Sequence, residues 1–257
     1  MADTTSPFDD GEIYDAILGD LDYGIDFFVK QARQADGPVL DIACGTGRIL
    51  LPCWMIGVPV DGLDYSQPML DRLKQKAQAL HFDPRLYQAD MANFSLPGKY
   101  ALIMITFNAF VHNLTTESQI ACLKCCKRHL LPGGTLVFDA SFPGLQWIGA
   151  PQHTRVLEMT TTHPRTGETL RCYDTRSFDR VKQIQHSINE IEATDASGKT
   201  RLLQRSEFDI RWVYKDEMAL LLRAAGFPRW EIHGNFEGKE LTDENDGMMV
   251  FGFNDVD

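Results

Sequence analysis

The sequence has no apolar stretch long enough to cross a lipid bilayer. The longest one near the middle of the chain, Tyr100–Val111, is shorter than the roughly 20 residues that a membrane-spanning helix needs. The first residues, Met1–Thr5, also lack the basic start and apolar core of a signal peptide. We therefore expect a cytoplasmic protein with no membrane partner.

The chain also lacks an excess of positive charge. Its 25 Lys and Arg residues are outnumbered by 36 Asp and Glu residues, which gives a net charge of −11. Such a chain repels a phosphate backbone, so we expect a small-molecule substrate and no nucleic-acid partner. Apolar residues make up 44% and charged residues 24% of the chain, which is typical of a globular protein and excludes disorder.

Cysteine is present six times without an export signal, which predicts reduced thiols rather than disulfides. The spacing of Cys122, Cys125 and Cys126 is compatible with metal ligands. However, the three cysteines fall inside a helical pattern, and no second Cys or His pair lies nearby to complete four ligands. We interpret them as buried helix residues and predict no metal site.

Short apolar runs alternate with helical patterns from Val39 to Ala140, which is typical of a parallel sheet buried on both faces. The predicted strands are Pro38–Ile42, Pro59–Leu63, Pro84–Gln88, Leu102–Thr106 and Thr135–Ala140. Helices are predicted over Gln67–Leu80, capped by Ser66, and over Thr116–Leu130, capped by Thr115 or Thr116.

The pattern changes after Phe142, where long segments of alternating polarity predict antiparallel hairpins. These segments are Thr154–Thr162, Leu170–Asp179, Gln183–Ala193 and Thr200–Tyr214. A helix and two strands then complete the α/β pattern, at Lys215–Ala225, Trp230–Gly234 and Met248–Phe253. The predicted parts are an N-terminal helical segment (1–35), an α/β domain (36–142 and 215–257) and an antiparallel insertion (143–214).

The first strand runs into a loop of small residues, Ala43–Gly47, that precedes a helical pattern. Such a loop lets the backbone approach a ligand closely, although plain tight turns have the same composition. A dinucleotide-binding loop requires a third small residue where the helix packs on the strand. Arg48 occupies that position, which favours a ligand with a smaller anionic group.

Two further acids follow predicted strands. Asp64 ends the second strand, where a carboxylate can accept both hydroxyls of a ribose. It could also cap the next helix, but Ser66 can take that role, which would leave Asp64 free. Asp90 ends the third strand, where it could accept a hydrogen bond from an exocyclic amine or simply be a solvated acid.

Together these residues resemble the class I S-adenosylmethionine-dependent methyltransferases. The glycine loop of that family matches Asp41–Gly47, its ribose acid matches Asp64 and its adenine-side acid matches Asp90. Its turn before the fifth strand is similar to Leu131–Gly134. The resemblance covers residues 36–142 and 215–253, although Ala43 replaces a frequent glycine.

The resemblance implies a doubly wound, Rossmann-like α/β sheet with strand order 3-2-1-4-5-7-6, whose last strand is antiparallel. It also implies that the loop of Gly45 and Gly47 faces the methionine part of S-adenosylmethionine, while Asp64 holds the ribose and Asp90 with Met91 the adenine. The other expected cofactor contacts are Tyr14, Asp41, Ala43, Cys44, Arg48, Tyr65, Met69, Thr106 and Asn108. The N-terminal segment would form a lid and the insertion a wall of the substrate site.

An in-line methyl transfer mainly requires that the acceptor be held close to the methyl carbon, away from water. His112 is the candidate base by its usual pKa and its place after the fourth strand, although a structural histidine is equally compatible. Phe110, His112 and Arg211 are the candidate substrate contacts. For Asn108, the alternatives are a ligand contact or a helix cap.

The sequence thus predicts an enzyme that transfers a methyl group from S-adenosylmethionine to a small molecule. The alternatives are a nicotinamide-dependent oxidoreductase, which Arg48 disfavours, and a non-catalytic cofactor-binding or assembly protein. Aminopropyl transfer ranks last, because no acidic cluster for a polyamine is evident. Either a monomer or a homodimer is compatible with the pattern.

Overall fold

The computed structural model describes residues 6–19, 21–242 and 247–255. The helices are α1 (Gly11–Leu18), α2 (Ile25–Gln34), α3 (Leu50–Met55), α4 (Gln67–Ala79), α5 (Thr116–His129), α6 (Leu145–Ile148) and α7 (Lys215–Ala225), with a 3-10 helix at Ala109–His112. The strands are β1 (Val39–Ile42), β2 (Val60–Asp64), β3 (Leu86–Gln88), β4 (Tyr100–Ile105), β5 (Leu130–Ser141), β6 (Arg155–Thr162), β7 (Thr169–Asp179), β8 (Ile184–Thr194), β9 (Thr200–Arg211), β10 (Arg229–His233) and β11 (Gly247–Phe253). No described helix is long and apolar enough to cross a membrane.

The larger sheet has seven strands in the order β3-β2-β1-β4-β5-β11-β10 within the described residues. The strands from β3 to β5 pair in parallel, while β11 is antiparallel to both β5 and β10. The implied order and the antiparallel last strand are therefore confirmed. Parallel strands bring their carboxyl ends to one edge of the sheet, so the loops after β1, β2 and β4 lie side by side.

Helices cover both faces of this sheet. Helices α5 and α7 pack on one face and α2, α3 and α4 on the other. The predicted caps are confirmed, since Ser66 Oγ accepts from the Met69 amide and Thr115 forms a capping box with Ser118. The side chains of Cys122, Cys125 and Cys126 are buried where α5 meets the sheet.

The N-terminal segment forms two helices rather than one continuous stretch, because Gly24 has a φ of 70° and separates α1 from α2. Asp15 fixes α1 to the rest of the domain. Its carboxylate accepts from Thr46 Oγ1 at 2.6 Å, from Arg72 Nε at 2.7 Å and from Lys76 Nζ at 2.9 Å. Helix α1 therefore lies directly over the glycine loop and α4.

Between β5 and α7 the chain forms a separate antiparallel sheet in the order β6-β7-β8-β9, which confirms the predicted insertion. The short helix α6, which the sequence pattern did not indicate, precedes it. The connection between β10 and β11 falls partly outside the described residues. The insertion packs on the 3-10 helix through β9 and on α1 through β6.

Gly47 allows the glycine loop to pack against α4. It has a φ of 90°, and a Cβ atom there would lie 2.3 Å from Leu73 Cδ1. Leu73 is fully buried, so its side chain has no free space into which to move.

We expect Gly47→Ala to lower the free energy of unfolding by about 1–3 kcal/mol more than Gly57→Ala does. Gly57 is a matched control, because its φ is 79° but no atom lies within 4 Å of the added methyl group. Urea denaturation of both variants measures the difference. Equal losses of unfolding free energy in the two variants would show that backbone conformation, and not packing on Leu73, is the reason for glycine at position 47.

Candidate active site

The loop after β1 has a left-handed backbone at three positions, with φ values of 56° at Ala43, 53° at Gly45 and 90° at Gly47. The Cys44 amide donates to the Leu63 carbonyl at 3.0 Å and fixes the loop to β2. The predicted helix after the loop starts only at Leu50 and has six residues. So short a helix offers no anion site at its N-terminus, and the loop amides of Cys44, Gly45 and Gly47 all donate to groups within the protein.

The two glycines have different environments. A Cβ atom at Gly45 would meet no atom within 4 Å, whereas one at Gly47 would clash with α4. Gly45 therefore faces open space, where a ligand can approach the backbone, and Gly47 is required for packing. The implied role beside the cofactor fits Gly45 alone.

Asp64 connects the first two strand ends. Its Oδ2 accepts from the Gly45 amide at 2.7 Å and its Oδ1 from the Ser66 amide at 2.8 Å. The expectation that a cap at Ser66 leaves Asp64 free is thus wrong, because each oxygen already accepts one backbone hydrogen bond. A carboxylate oxygen can accept a second one, so the ribose contact remains compatible with this geometry.

Two acids and one arginine are buried between β1, β5 and the glycine loop without full pairing. Within the described residues, Asp41 Oδ1, Asp139 Oδ1 and Arg48 Nη2 are buried and have no hydrogen-bond partner. Unsatisfied buried polar atoms are rare and indicate a place for a missing ligand or water. This region can hold a group with both positive and negative charges, such as an amino acid.

Burial perturbs the titration of these groups. It raises the pKa of Asp41 well above its ordinary value, and it raises the pKa of Asp139 to about 6. It also lowers the pKa of Arg48, against the effect of Tyr14 and the nearby acids. Arg48 Nη1 donates to the carbonyls of Leu21 and Tyr23, so the arginine ties the N-terminal segment to the loop.

The segment after β4 is held by Asp139. Phe107 and Asn108 have left-handed φ values of 58° and 62°, a conformation that is unfavourable for phenylalanine but tolerated by asparagine. Asp139 Oδ2 accepts from the Asn108 amide at 2.9 Å, and Asn108 Oδ1 accepts from the Ser141 amide at 2.7 Å. Thr106, just before this turn, is buried.

Both polar atoms of the Asn108 side chain are therefore hydrogen-bonded within the protein. Its amide nitrogen donates to Ser141 Oγ at 2.8 Å, and it makes no capping hydrogen bond to the 3-10 helix. Asn108 thus occupies the N-cap position of the 3-10 helix without capping it through its side chain, and a direct ligand contact would compete with both bonds to Ser141. Asn108 instead holds the turn beside the site.

Two predicted substrate contacts lie elsewhere. Phe110 is fully buried, with its ring centroid 4.8 Å from that of Phe138, in the core beneath the 3-10 helix. Arg211 is also buried, and it donates to Gln119 Oε1 at 2.7 Å and forms an ion pair with Glu217 at 2.7 Å. It ties β9 to α5 and α7, so neither residue lies at an open surface of the site.

His112 lies where three parts of the chain meet. Its ring centroid is 5.4 Å from that of Phe8 in the N-terminal segment and 5.9 Å from that of Phe208 on β9. Burial lowers the pKa of His112, and a hydrogen bond to the backbone of Asp209 partly opposes that shift. The imidazole is therefore neutral at pH 7 and can accept a proton.

The adenine-side residues differ in exposure. Tyr65 is 77% exposed and can stack on a ring, whereas Met69 is only 1% exposed and lies below the surface. Asp90 is exposed and its Oδ1 accepts from the Ala92 amide at 2.8 Å. Met91 Sδ accepts from Asn113 Nδ2 at 3.1 Å, which fixes its side chain. Tyr65, Asp90 and Met91 remain the better candidates for the adenine.

Tyr14 closes the site from the N-terminal side. A small cavity of about 30 Å³ lies between Tyr14, Cys44, Gly45 and Thr106. Burial raises the pKa of Tyr14 to about 12, while the nearby Arg48 acts in the opposite direction. The phenol therefore stays protonated at neutral pH and can donate a hydrogen bond into the cavity.

Sequence reasoning missed Asp139, Thr46 and Asp15. Asp139 offered a signal, since it is the one acid in the apolar run of the fifth predicted strand. Nothing in the sequence indicated that Asp15 contacts α4 and the glycine loop, because its partners are 31 to 61 residues away.

Comparisons with known proteins agree with this geometry. A family model described as a methyltransferase domain matches residues 39–134. A cypemycin N-terminal methyltransferase from a Streptomyces species is 28% identical over 243 residues, which is 93% of each chain. The chain is an S-adenosylmethionine-dependent methyltransferase of class I.

Two further relatives support this assignment. The dTDP-3-amino-3,4,6-trideoxy-alpha-D-glucopyranose N,N-dimethyltransferase of Streptomyces venezuelae is 29% identical over 140 residues, 51% of this chain and 56% of its own. The solved CcbJ methyltransferase of Streptomyces caelestis is 25% identical, with a TM-score of 0.76 over 98% of this chain and 99% of its own. The protein is therefore an enzyme with S-adenosylmethionine as its cofactor. These relatives support neither the oxidoreductase nor the non-catalytic alternative.

The residues at the sheet edge fit this cofactor. The open space at Gly45 and the unpaired Arg48 Nη2, Asp41 Oδ1 and Asp139 Oδ1 suit a ligand that carries a carboxylate and positive charges. These three atoms have no hydrogen-bond partner within residues 6–19, 21–242 and 247–255. The predicted contact set at the first two strand ends is thus chemically suitable.

We expect Gly45→Ala to lower the affinity for S-adenosylmethionine by at least about tenfold, because the methyl group fills the space in front of the loop. The fold should survive with a loss of about 1–2 kcal/mol, the cost of a left-handed alanine. Isothermal titration calorimetry measures the affinity. Gly57→Ala is the control and should bind S-adenosylmethionine normally. Unchanged affinity of Gly45→Ala would show that the ligand does not bind at this loop.

Asp139 should make the cofactor-free protein less stable as the pH rises. Its folded-state pKa of about 6 exceeds the ordinary value of about 3.9, so the folded state retains the proton more tightly. The resulting stabilisation is complete below about pH 4 and is lost as the pH rises through about 6.

Asp139→Asn removes this titration. The free energy of unfolding of the wild type minus that of Asp139→Asn should therefore fall between pH 4 and pH 7, by about 1.4 kcal/mol per unit of pKa shift. Urea denaturation across this range gives the difference, in which the acids that do not interact with Asp139 cancel. A difference that is constant with pH would contradict the burial-induced shift.

Proposed function

We propose that this enzyme transfers the methyl group of S-adenosylmethionine to the nitrogen of a small-molecule amine. The relatives give the first support, since two of them are named for methylation of a peptide N-terminus and of an amino sugar. The net charge of −11 adds a reason to exclude nucleic acid as acceptor.

The cofactor supplies, when bound, a methyl group that is already activated for displacement. The residues of the chain then need only bind both reactants, orient them and exclude water. We assign the methionine part to Gly45, Arg48 and Tyr14, the ribose to Asp64 and the adenine to Tyr65 with Asp90. Residues 1–35 would act as a lid and residues 143–214 as the wall facing the acceptor.

The environment of His112 is the observation that favours an amine over an alcohol as the methyl acceptor. The imidazole lies between two phenylalanine rings, and burial lowers its pKa, so it is a weak base that is free to accept a proton at pH 7. A weak base suffices for an ammonium group, whose pKa is near that of lysine at about 10, and desolvation lowers it further. An alcohol is a far weaker acid and requires stronger activation.

A panel of amines, alcohols and thiols tests this proposal directly. The purified enzyme is incubated with labelled S-adenosylmethionine, and methylated products are identified by mass spectrometry. We expect transfer to amines only. Transfer to alcohols or thiols without transfer to any amine would overturn the proposal.

We expect His112→Gln to lower kcat by about 10²–10⁴-fold, the usual contribution of a general base. For the wild type, kcat should decline only below the ordinary histidine pKa of about 6.5, because burial lowers the pKa of His112. Glutamine preserves the polarity and much of the volume, so the affinity for S-adenosylmethionine should not change. If the variant had normal kcat and the same decline of kcat at acidic pH as the wild type, His112 would have only a structural role.

A further inference from the structure

One face of the insertion sheet is directed towards the catalytic domain. The strand register places Leu170, Ala193 and Phe208 on the same face. The first two pack on Ala16 of α1, and the ring of Phe208 lies 5.9 Å from the ring of His112. We call this surface the inner face.

The middle of the inner face is polar although it is buried. Asp174, Gln185, Ser187 and Ser206 are at most 5% exposed, and the register puts all four on the inner face. A sheet face that only packs against protein is apolar, because buried polar groups lose their hydration. Four buried polar side chains between apolar ends therefore need another explanation.

A chain of hydrogen bonds connects these side chains. Trp147 Nε1 donates to Gln185 Oε1 at 2.6 Å, and Gln185 Nε2 donates to Ser187 Oγ at 2.8 Å. Ser187 Oγ donates to Asp174 Oδ2 at 3.3 Å, and Arg176 Nε donates to the same oxygen at 2.5 Å. The network thus ends on one oxygen of one carboxylate.

The other oxygen of this carboxylate is unsatisfied. Asp174 is 5% exposed, and its Oδ1 has no partner among the residues that the structure describes. The indole nitrogen of Trp212 is buried and equally unpaired within that part of the chain, and Trp212 lies on the same side, 6.2 Å from Phe178. An unpaired hydrogen-bond acceptor and an unpaired hydrogen-bond donor thus lie in the insertion, which we propose faces the methyl acceptor. They indicate a binding site for a polar ligand.

The strand spacing gives the size of that ligand. Phe208 on β9, Ser187 on β8 and Arg176 on β7 are successive partners, and Asp174 is two residues from Arg176 on the same face. Asp174 therefore lies two strand spacings across the sheet and two residues along it, roughly 12 Å between backbones, from Phe208, whose ring contacts His112.

We infer that Asp174 is a specificity-determining residue that binds the acceptor away from the methylated nitrogen. Its Oδ1 takes a second hydrogen-bond donor of the acceptor, an ammonium or hydroxyl group, roughly 10–12 Å from the reacting amine. The acceptor is therefore an elongated polar amine. This inference rests on the proposed methylation of an amine.

Three matched amines test it. Heptane-1,7-diamine and 7-aminoheptan-1-ol carry a second donor, whereas heptylamine has the same length without one. We expect kcat/KM for the diamine or the amino alcohol to exceed that for heptylamine by at least about tenfold, as a hydrogen bond to a carboxylate predicts. The shorter propane-1,3-diamine should show no such advantage over propylamine.

Asp174→Asn should reduce that preference to within about threefold, mainly by raising KM for the probes with the second donor, at nearly unchanged kcat. Glu158→Gln is the matched control, because Glu158 also binds Arg176, at 2.8 Å, but is exposed at the sheet edge. This control should keep the preference, and both variants should keep wild-type affinity for S-adenosylmethionine.

Equal kcat/KM for all three seven-carbon probes in the wild type would overturn this inference, even if Asp174→Asn failed to fold. So would an unchanged preference in a folded Asp174→Asn variant. In both cases methylation of these amines would leave the proposed function intact. Methylation of alcohols or thiols but of no amine would instead overturn the proposed function itself, together with this inference.

Discussion

The active site depends on the carboxylate of Asp64, which joins the first two strand ends. One oxygen accepts from the Gly45 amide and the other from the Ser66 amide at the start of α4. These bonds hold the glycine loop in its left-handed conformation with Gly45 facing open space. Burial raises the pKa of Asp64, and the two amide bonds oppose that shift, so the same contacts favour the charged form that the proposed ribose contact requires.

The rest of the site is assembled around this connection by parts that are distant in sequence. Asp15 binds α1 to Thr46, and Arg48 binds the following segment through the Tyr23 carbonyl. Asp139 fixes the strained turn after β4 from the neighbouring strand. The glycine loop, helix α1 and the turn are thus interdependent, and all three line the small cavity of the site.

The sequence predicted the elements and the strand-end acids well, because buried parallel strands and helix caps leave local patterns. The resemblance added the strand order, which local patterns do not contain. Arg211 was misassigned because its partners, Gln119 and Glu217, lie on helices that only the fold brings to β9. Phe110 was misassigned because periodicity does not show that a short 3-10 helix turns it into the core. The contacts predicted for the cofactor remain predictions.

The central claim is that S-adenosylmethionine binds across the ends of β1 and β2 through Asp64. Isothermal titration calorimetry of Asp64→Asn tests it most directly, because asparagine has nearly the same shape without the charge. We expect at least about tenfold weaker binding than in the wild type, with a folded structure by circular dichroism. Wild-type affinity in the folded variant would contradict it.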